Sequence, residues 1–286
     1  MSKKIKVPVL LRVVRWWFPK LEKFAQPLAT RLFVQLFFTP LNYGFPEKEL
    51  EWINKSDGFS LTVNGKLVKG YSWGQSTAPI ILFVHGWAGR ATQFRKFFPV
   101  LLEAGFRVVS FDGPAHGKSE GKRTNIVEFG EVLRQIFTTL GEPQAIIAHS
   151  FGGVVSLLGA TQGLPVKNLI NIGSPVIGDE IIATFLKAVN GTWPTAEKFK
   201  AYMIRKFNRS FDESSAQFFI QHLKTPLNLL LVHDDHDKDV SIRHPEALLK
   251  LYPQATLYKT SGLGHTRILK DGRVIQYCLK FIQSKT

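Results

Sequence analysis

The 286-residue chain is poor in three things. It has a single cysteine, Cys278. One thiol excludes an internal disulfide framework and a zinc site built on cysteines, and it fits a reducing compartment. It is short of acids: 22 Asp and Glu stand against 37 Lys and Arg, a net charge of +15. Its apolar N-terminal stretch, residues 7–41, also falls short of a membrane span, because no window there of the ~20 residues required is free of charge and proline. No internal repeat or low-complexity tract breaks the chain. What is present suits a folded core: 44% of residues are hydrophobic and 21% charged, which excludes a largely disordered chain. An excess of base raises three partners, namely nucleic acid, an anionic membrane and an acidic substrate. Its distribution separates them.

Almost half of the excess sits at the start. Residues 1–31 hold Lys3, Lys4, Lys6, Arg12, Arg15, Lys20, Lys23 and Arg31 against one acid, Glu22, a local charge of +7. These bases are mixed with aliphatic and aromatic residues and match no nucleic-acid motif, so nucleic acid is not an expected partner. A secretory signal needs an unbroken apolar run of about 7–15 residues and a small-residue cleavage site. Arg12 and Arg15 interrupt the run here. Being three apart they share a helical face, opposite much of Val9, Val13, Trp16 and Trp17. Bases beside two adjacent tryptophans are the composition of an interfacial anchor. Residues 2–23 are expected either to touch an anionic membrane peripherally or to fold back on the main domain. A second helix is expected over Pro27–Phe38, with proline at a first-turn position and an apolar surface nearly all round, hence buried. Residues 1–45 read as a basic, apolar, helical N-terminal extension. The expected location is cytoplasmic, with peripheral contact at the inner membrane surface.

Beyond a helix over Glu47–Asn54, two strands, Phe59–Val63 and Leu67–Trp73, flank the hairpin signal Asn64-Gly65. Six more strands follow at Ile80–Val84, Arg107–Asp112, Gln144–His149, Val166–Ile172, Leu227–Val232 and Ala255–Lys259. Helices are predicted over Thr92–Glu103, Asn125–Leu140, Gly152–Ala160, Pro245–Leu251 and Thr266–Gln283. Wholly apolar runs such as Ile80–Val84 suit strands buried on both faces. Alternating strands and helices imply a mostly parallel sheet flanked by helices across residues 46–286. Residues 175–225 break the alternation with helical, Phe- and Lys-rich sequence too long for a plain crossover, and are read as a helical lid insertion.

Ligands of open α/β sheets bind beyond the carboxyl ends of the strands. After Gln144–His149 comes Ala148-His149-Ser150-Phe151-Gly152, close to the G-x-S-x-G turn that exposes a serine nucleophile, with Ala148 in place of the first glycine. After Ile80–Val84 comes His85-Gly86-Trp87. In an acyl-transfer enzyme, backbone N–H groups of Trp87 and of Phe151 would bind the oxyanion. His85 is read as structural. After Leu227–Val232 comes His233-Asp234-Asp235-His236-Asp237-Lys238-Asp239. This cluster is either a metal site or the source of a triad acid. Adjacent residues on one short loop diverge, and no distant cluster supplies further ligands, so the acid is favoured. After Ala255–Lys259 comes Ser261-Gly262-Leu263-Gly264-His265, which places a histidine last. The order Ser150, Asp, His265 is that of a known triad arrangement.

Together with Phe111-Asp112-Gly113-Pro114-Ala115-His116-Gly117-Lys118-Ser119, these segments resemble the serine hydrolases of the α/β-hydrolase superfamily over about residues 57–286. The pattern is similar to a bacterial group with H-G-W-x-G-R and D-x-P-A-H-G-x-S-x-G segments, matched by His85–Arg90 and Asp112–Gly121. The resemblance implies the α/β-hydrolase fold and a Ser150-His265-Asp triad. In such proteins the acid follows the histidine of an H-G-x-x-D loop by four residues, which makes it Asp237; Asp234 replaces the glycine, and Asp235 is the alternative. The implied reaction is cleavage of a small-molecule carboxylic ester, lipid-like or acyl, through an acyl-enzyme, with no metal or organic cofactor. A thioesterase or other hydrolase using the same triad, and a catalytically silent membrane- or ligand-binding protein of the same fold, are the alternatives.

Overall fold

The computed structural model describes residues 9–285. The elements, in order, begin with three helices, α1 (Val9–Phe24), α2 (Gln26–Phe37) and α3 (Glu47–Asn54). The strands β1 (Asp57–Val63), β2 (Lys66–Trp73) and β3 (Ile80–Val84) precede α4 (Phe98–Glu103). Next come β4 (Arg107–Phe111), α5 (Ile126–Leu140), β5 (Ala145–His149), α6 (Phe151–Thr161) and β6 (Asn168–Ile172). Three helices, α7 (Gly178–Val189), α8 (Trp193–Phe207) and α9 (Ala216–Gln221), lead to β7 (Asn228–Asp234). The chain closes with α10 (Arg243–Leu251), β8 (Thr256–Thr260), a one-turn α11 (Gly264–Arg267) and α12 (Gly272–Gln283).

The chain divides into two compact units. One comprises residues 39–176 and 215–286. It is built on an eight-stranded sheet of order β1-β2-β4-β3-β5-β6-β7-β8. β2 runs antiparallel to both β1 and β4, and every other pairing is parallel. The hairpin joins Val63 to Lys66 through Asn64 and Gly65, both at positive φ, as a type I′ turn demands. β3, β5 and β6 sit at the centre and are buried on both faces, which is why β3 and the first four residues of β5 are apolar without alternation, while β6 buries Asn168 and Asn171 among its aliphatic residues. One face carries a core of Phe83, Phe94, Phe97, Phe98, Ile147, Val274 and Ile282, among others. Burying each such large side chain contributes roughly 1.5–3 kcal/mol.

Two predicted helices are divided in the structure. Over 92–103, a single 3-10 turn (Ala91–Phe94) precedes α4, whose second residue is Pro99. Proline donates no N–H and clashes with the carbonyl four residues back, so one continuous helix is not available there. Over 266–283, the Asp271 side chain accepts hydrogen bonds from the N–H groups of Arg273 and Val274 and starts α12 afresh. His265 therefore lies in the short α11, before the last helix.

The other unit comprises, of the described residues, 9–38 and 177–214. Its two pieces lie far apart in sequence and share one core, in which Phe18, Ala29 and Phe33 meet Ile182, Leu186, Phe199 and Met203. Phe33 packs edge-on to Phe199 at 5.4 Å between ring centroids. The Glu22 carboxylate accepts from the Thr192 N–H and the Thr195 hydroxyl, and Arg15 Nε donates to the Ala188 carbonyl. The predicted insertion, 175–225, thus contributes α7 and α8 to this unit and α9 to the sheet unit.

Candidate active site

Ser150 stands between β5 and α6 at φ 52°, ψ −121°, a conformation that side chains other than glycine rarely adopt. Such strain costs on the order of 1–3 kcal/mol and must be held by its surroundings. The Ser150 N–H donates to the Ile172 carbonyl at 2.9 Å, while its carbonyl accepts from Gly153 N–H and the Ser174 hydroxyl. Gly152 is obligatory for the turn: a Cβ there would lie 2.2 Å from the Val84 carbonyl oxygen. Phe151 is the first residue of α6, so its N–H has no intrahelical acceptor.

Across the sheet, Asp237 is buried on the loop after β7. Its Oδ1 accepts from the N–H groups of Asp239 and Val240, each at 2.9 Å. Its Oδ2 lies 2.7 Å from Nδ1 of His265. Burial pushes this carboxyl up; the hydrogen bond and charge of His265, with the two loop N–H groups, outweigh it and hold the carboxyl below the ordinary carboxylate range. The alternative acid, Asp235, makes no such bond and pairs with the largely exposed His236 at 3.7 Å. Gly173, at φ +58°, leaves the room that the pair needs, since a Cβ there would sit 3.3 Å from His265 Nδ1.

Two groups hold His265 from behind. His149, the residue before Ser150, donates from Nε2 to the His265 carbonyl at 2.9 Å, and Gln93 Nε2 donates to its Nδ1. That pattern fixes the neutral tautomer. Burial first, and then the charge of His265, lower its pKa to about 3. The rings of His149 and His265 are 4.6 Å apart. Asp234 is the second holder. Its buried carboxylate accepts from Leu263 N–H, the Thr260 hydroxyl and His236 N–H, tying the Leu263-Gly264-His265 loop to the end of β7. Neither the bracing role of Asp234, which in the sequence is a member of the His/Asp cluster and the replacement of a glycine, nor that of His149 is expected from the sequence. A charge inside the loop motif and a titratable side chain ending an apolar buried strand were the available signals.

Trp87 lies on the loop after β3, and its ring meets Phe151 edge-on at 5.4 Å. The loop is braced at the next residue, where Ala88, at φ +55°, donates its N–H to His116 Nε2 at 3.1 Å. His116 Nδ1 donates to the Pro114 carbonyl. His85 works in the same way: Nδ1 donates to the Gly86 carbonyl and Nε2 accepts from Gly113 N–H. Burial holds both rings neutral, with pKa values lowered to about 4 for His85 and about 3 for His116. Asp112 accepts from Ala91 N–H, Lys118 N–H and the Tyr71 hydroxyl. These residues brace backbone; none touches Ser150 through a hydrogen bond of this set.

The oxygens and nitrogens of Asp234, Asp235 and His236, and those of Asp237, Asp239 and His265, form two clusters compact enough for an ion. The carboxylates at their heart already accept from loop N–H groups, from Thr260 and from His265.

Residues 79–270 match a protein-family model described as alpha/beta hydrolase fold. The chain belongs to that family. Among curated proteins, it is 32% identical over 89 residues to the serine hydrolase-like protein of Homo sapiens, covering 29% of this chain and 43% of that one. It is 26% identical over 128 residues to the monoacylglycerol lipase of Mycolicibacterium smegmatis, covering 41% and 46%. The matches thus span less than half of either relative. Among solved structures, a Pyrococcus furiosus esterase superposes with a TM-score of 0.64 at 17% identity, covering 86% of this chain and 97% of that one. At that identity the likeness is one of fold, and the α/β-hydrolase fold expected from the sequence is the one found.

Proposed function

We propose that this α/β-hydrolase family member is a serine hydrolase that cleaves small carboxylic esters, lipid-like or acyl, through Ser150, His265 and Asp237. The observation that carries the reading is the 2.7 Å bond between Asp237 and His265, with the His265 ring 4.6 Å from that of His149, the residue before Ser150. In this reading Asp237 fixes the tautomer of His265 that leaves Nε2 as acceptor. His265 takes the Ser150 proton as Oγ attacks the carbonyl carbon, and the N–H groups of Trp87 and Phe151 bind the oxyanion, each worth about 3 kcal/mol of barrier. His265 returns the proton to the departing alkoxide. Water, activated by the same histidine, then releases the acid and regenerates Ser150.

The segment 175–225 follows β6 in the chain. We assign it the part of a lid that selects the acyl group. The cytoplasmic setting and kinship with the H-G-W-x-G-R group belong to the same proposal. Cys278 is buried, and burial raises its thiol pKa, which suits an inert thiol rather than a nucleophile. The test is Ser150→Ala. It abolishes turnover of short chromogenic esters and leaves the melting temperature nearly unchanged. Wild-type turnover by that variant would sink the mechanism.

A further inference from the structure

Helix α1 carries apolar side chains on two opposite faces. The inner face, Val14, Phe18 and Leu21, enters the core of the helical unit. The outer face bears Val13, Trp16, Trp17 and Phe24, continued by Leu28 of α2, at 49%, 61%, 50%, 79% and 56% exposure. These five are half of the ten large hydrophobic side chains exposed among the described residues. The expectation that Arg12 and Arg15 would oppose the tryptophans is replaced by a different arrangement. Arg15 turns inward to the Ala188 carbonyl, whereas Arg12 stays exposed with Trp16 and Trp17. A contiguous exposed apolar patch marks a docking surface for a protein or a membrane, and the charges around it choose between them.

Every charged side chain on the outer face is a base: Arg12, Lys20 and Lys23 are all exposed. Glu22, the one acid of the first 31 residues, points inward and is held by Thr192 and Thr195. Lys20 Nζ stands 3.1 Å over the Trp16 ring, and Trp16 meets Trp17 edge-on at 5.4 Å. Tryptophan seats at the headgroup level of a bilayer. Lysine can lay its aliphatic stem among the acyl chains while its ammonium stays in water. Polybasic segments are attracted to anionic leaflets. Among the described residues no helix is long and apolar enough to cross a membrane, so the mode is in-plane.

We propose that the outer face of α1, with Leu28, docks in the plane of an anionic phospholipid bilayer, its Trp16–Trp17 pair at headgroup depth and Arg12, Lys20 and Lys23 on lipid phosphates. Of the expected segment 2–23, residues 2–8 lie outside the described residues; the proposal rests on named side chains from Arg12 to Phe24 and on Leu28, and stands apart from the triad.

The experiment uses the full chain, sedimented with vesicles of phosphatidylcholine alone or of phosphatidylcholine with phosphatidylglycerol. Wild-type protein partitions into the anionic vesicles and not into the neutral ones, and high salt releases it. Trp16→Ser/Trp17→Ser and Lys20→Glu/Lys23→Glu each weaken that partitioning by about tenfold or more. Brominated anionic lipid quenches tryptophan fluorescence in the wild type, and the serine variant loses the quenching. Both variants keep their turnover of a soluble ester and their melting temperature, whereas Ser150→Ala keeps vesicle binding; the two readings therefore fail separately. Equal partitioning of wild type and serine variant overturns the proposal. So does a wild type that ignores anionic vesicles, including one that instead dimerises through this face in light scattering.

Discussion

Replacing Asp237 by Asn separates an orienting carboxylate from a bystander. Oδ1 of Asp237 accepts two backbone N–H groups, from Asp239 and Val240. An asparagine keeps both bonds only by placing its oxygen there, which turns its NH2 group toward His265 Nδ1. The imidazole must then accept at Nδ1 and carry its proton on Nε2, the tautomer that cannot take a proton from Ser150. The loop stays closed, so the loss falls on chemistry rather than on folding. A fall in kcat of about 10⁴ is expected for such a tautomer trap, equal to roughly 5.5 kcal/mol of barrier. KM for a short chromogenic ester changes little, and the melting temperature moves by a few degrees at most. Asp235→Asn, on the partly exposed residue paired with His236, stays within about twofold of wild type, as surface changes worth up to about 0.5 kcal/mol do. Retention of more than a tenth of wild-type kcat by Asp237→Asn would refute the reasoning, as would an equal loss in Asp235→Asn.

Two further outcomes follow from the surroundings of His265. Asp234→Asn leaves one acceptor oxygen where a carboxylate now serves Leu263, Thr260 and His236. Loss of buried hydrogen bonds costs about 1–3 kcal/mol, so the melting temperature falls, and a loosened His265 lowers kcat more than it raises KM; steady-state kinetics on the esters above reads that split. Stability falls on acidification. His85, His116 and His149 have folded pKa values of about 4, 3 and 3 against about 6.5 unfolded. Lowered histidine values favour the neutral folded form, so their contribution is complete above about pH 6.5 and is lost as pH drops toward the folded values. Unfolding near pH 5 should take up about three protons at these sites, read from the pH dependence of denaturant unfolding; a flat profile between about pH 7 and 4.5 would contradict the assignment of buried neutral rings.

The sheet was legible because central strands buried on both faces are written as apolar runs, residues 80–84 and 145–148 among them. The turn at Ser150 was legible from small residues at a fixed spacing, for which Gly152 shows the reason: the Val84 carbonyl fills the place of a side chain. The partner of a buried helix face was not legible. Amphipathicity says that Phe18 and Phe33 must be covered, but nothing local says that Phe199 covers them. The acid of the loop after β7 stayed open between Asp237 and Asp235, because the choice rests on where the N–H groups of residues 239 and 240 point. His149 was missed because period and motif both end at Ser150, while its partner carbonyl lies on another loop.

The central claim is that Ser150 is a nucleophile activated by His265. Labelling of the intact protein with a fluorophosphonate, followed by peptide mass spectrometry, tests it most directly. The account predicts one adduct, on Ser150, absent from Ser150→Ala and strongly slowed in Asp237→Asn. A wild-type protein that is not labelled, or one labelled at another residue with Ser150 untouched, would contradict it.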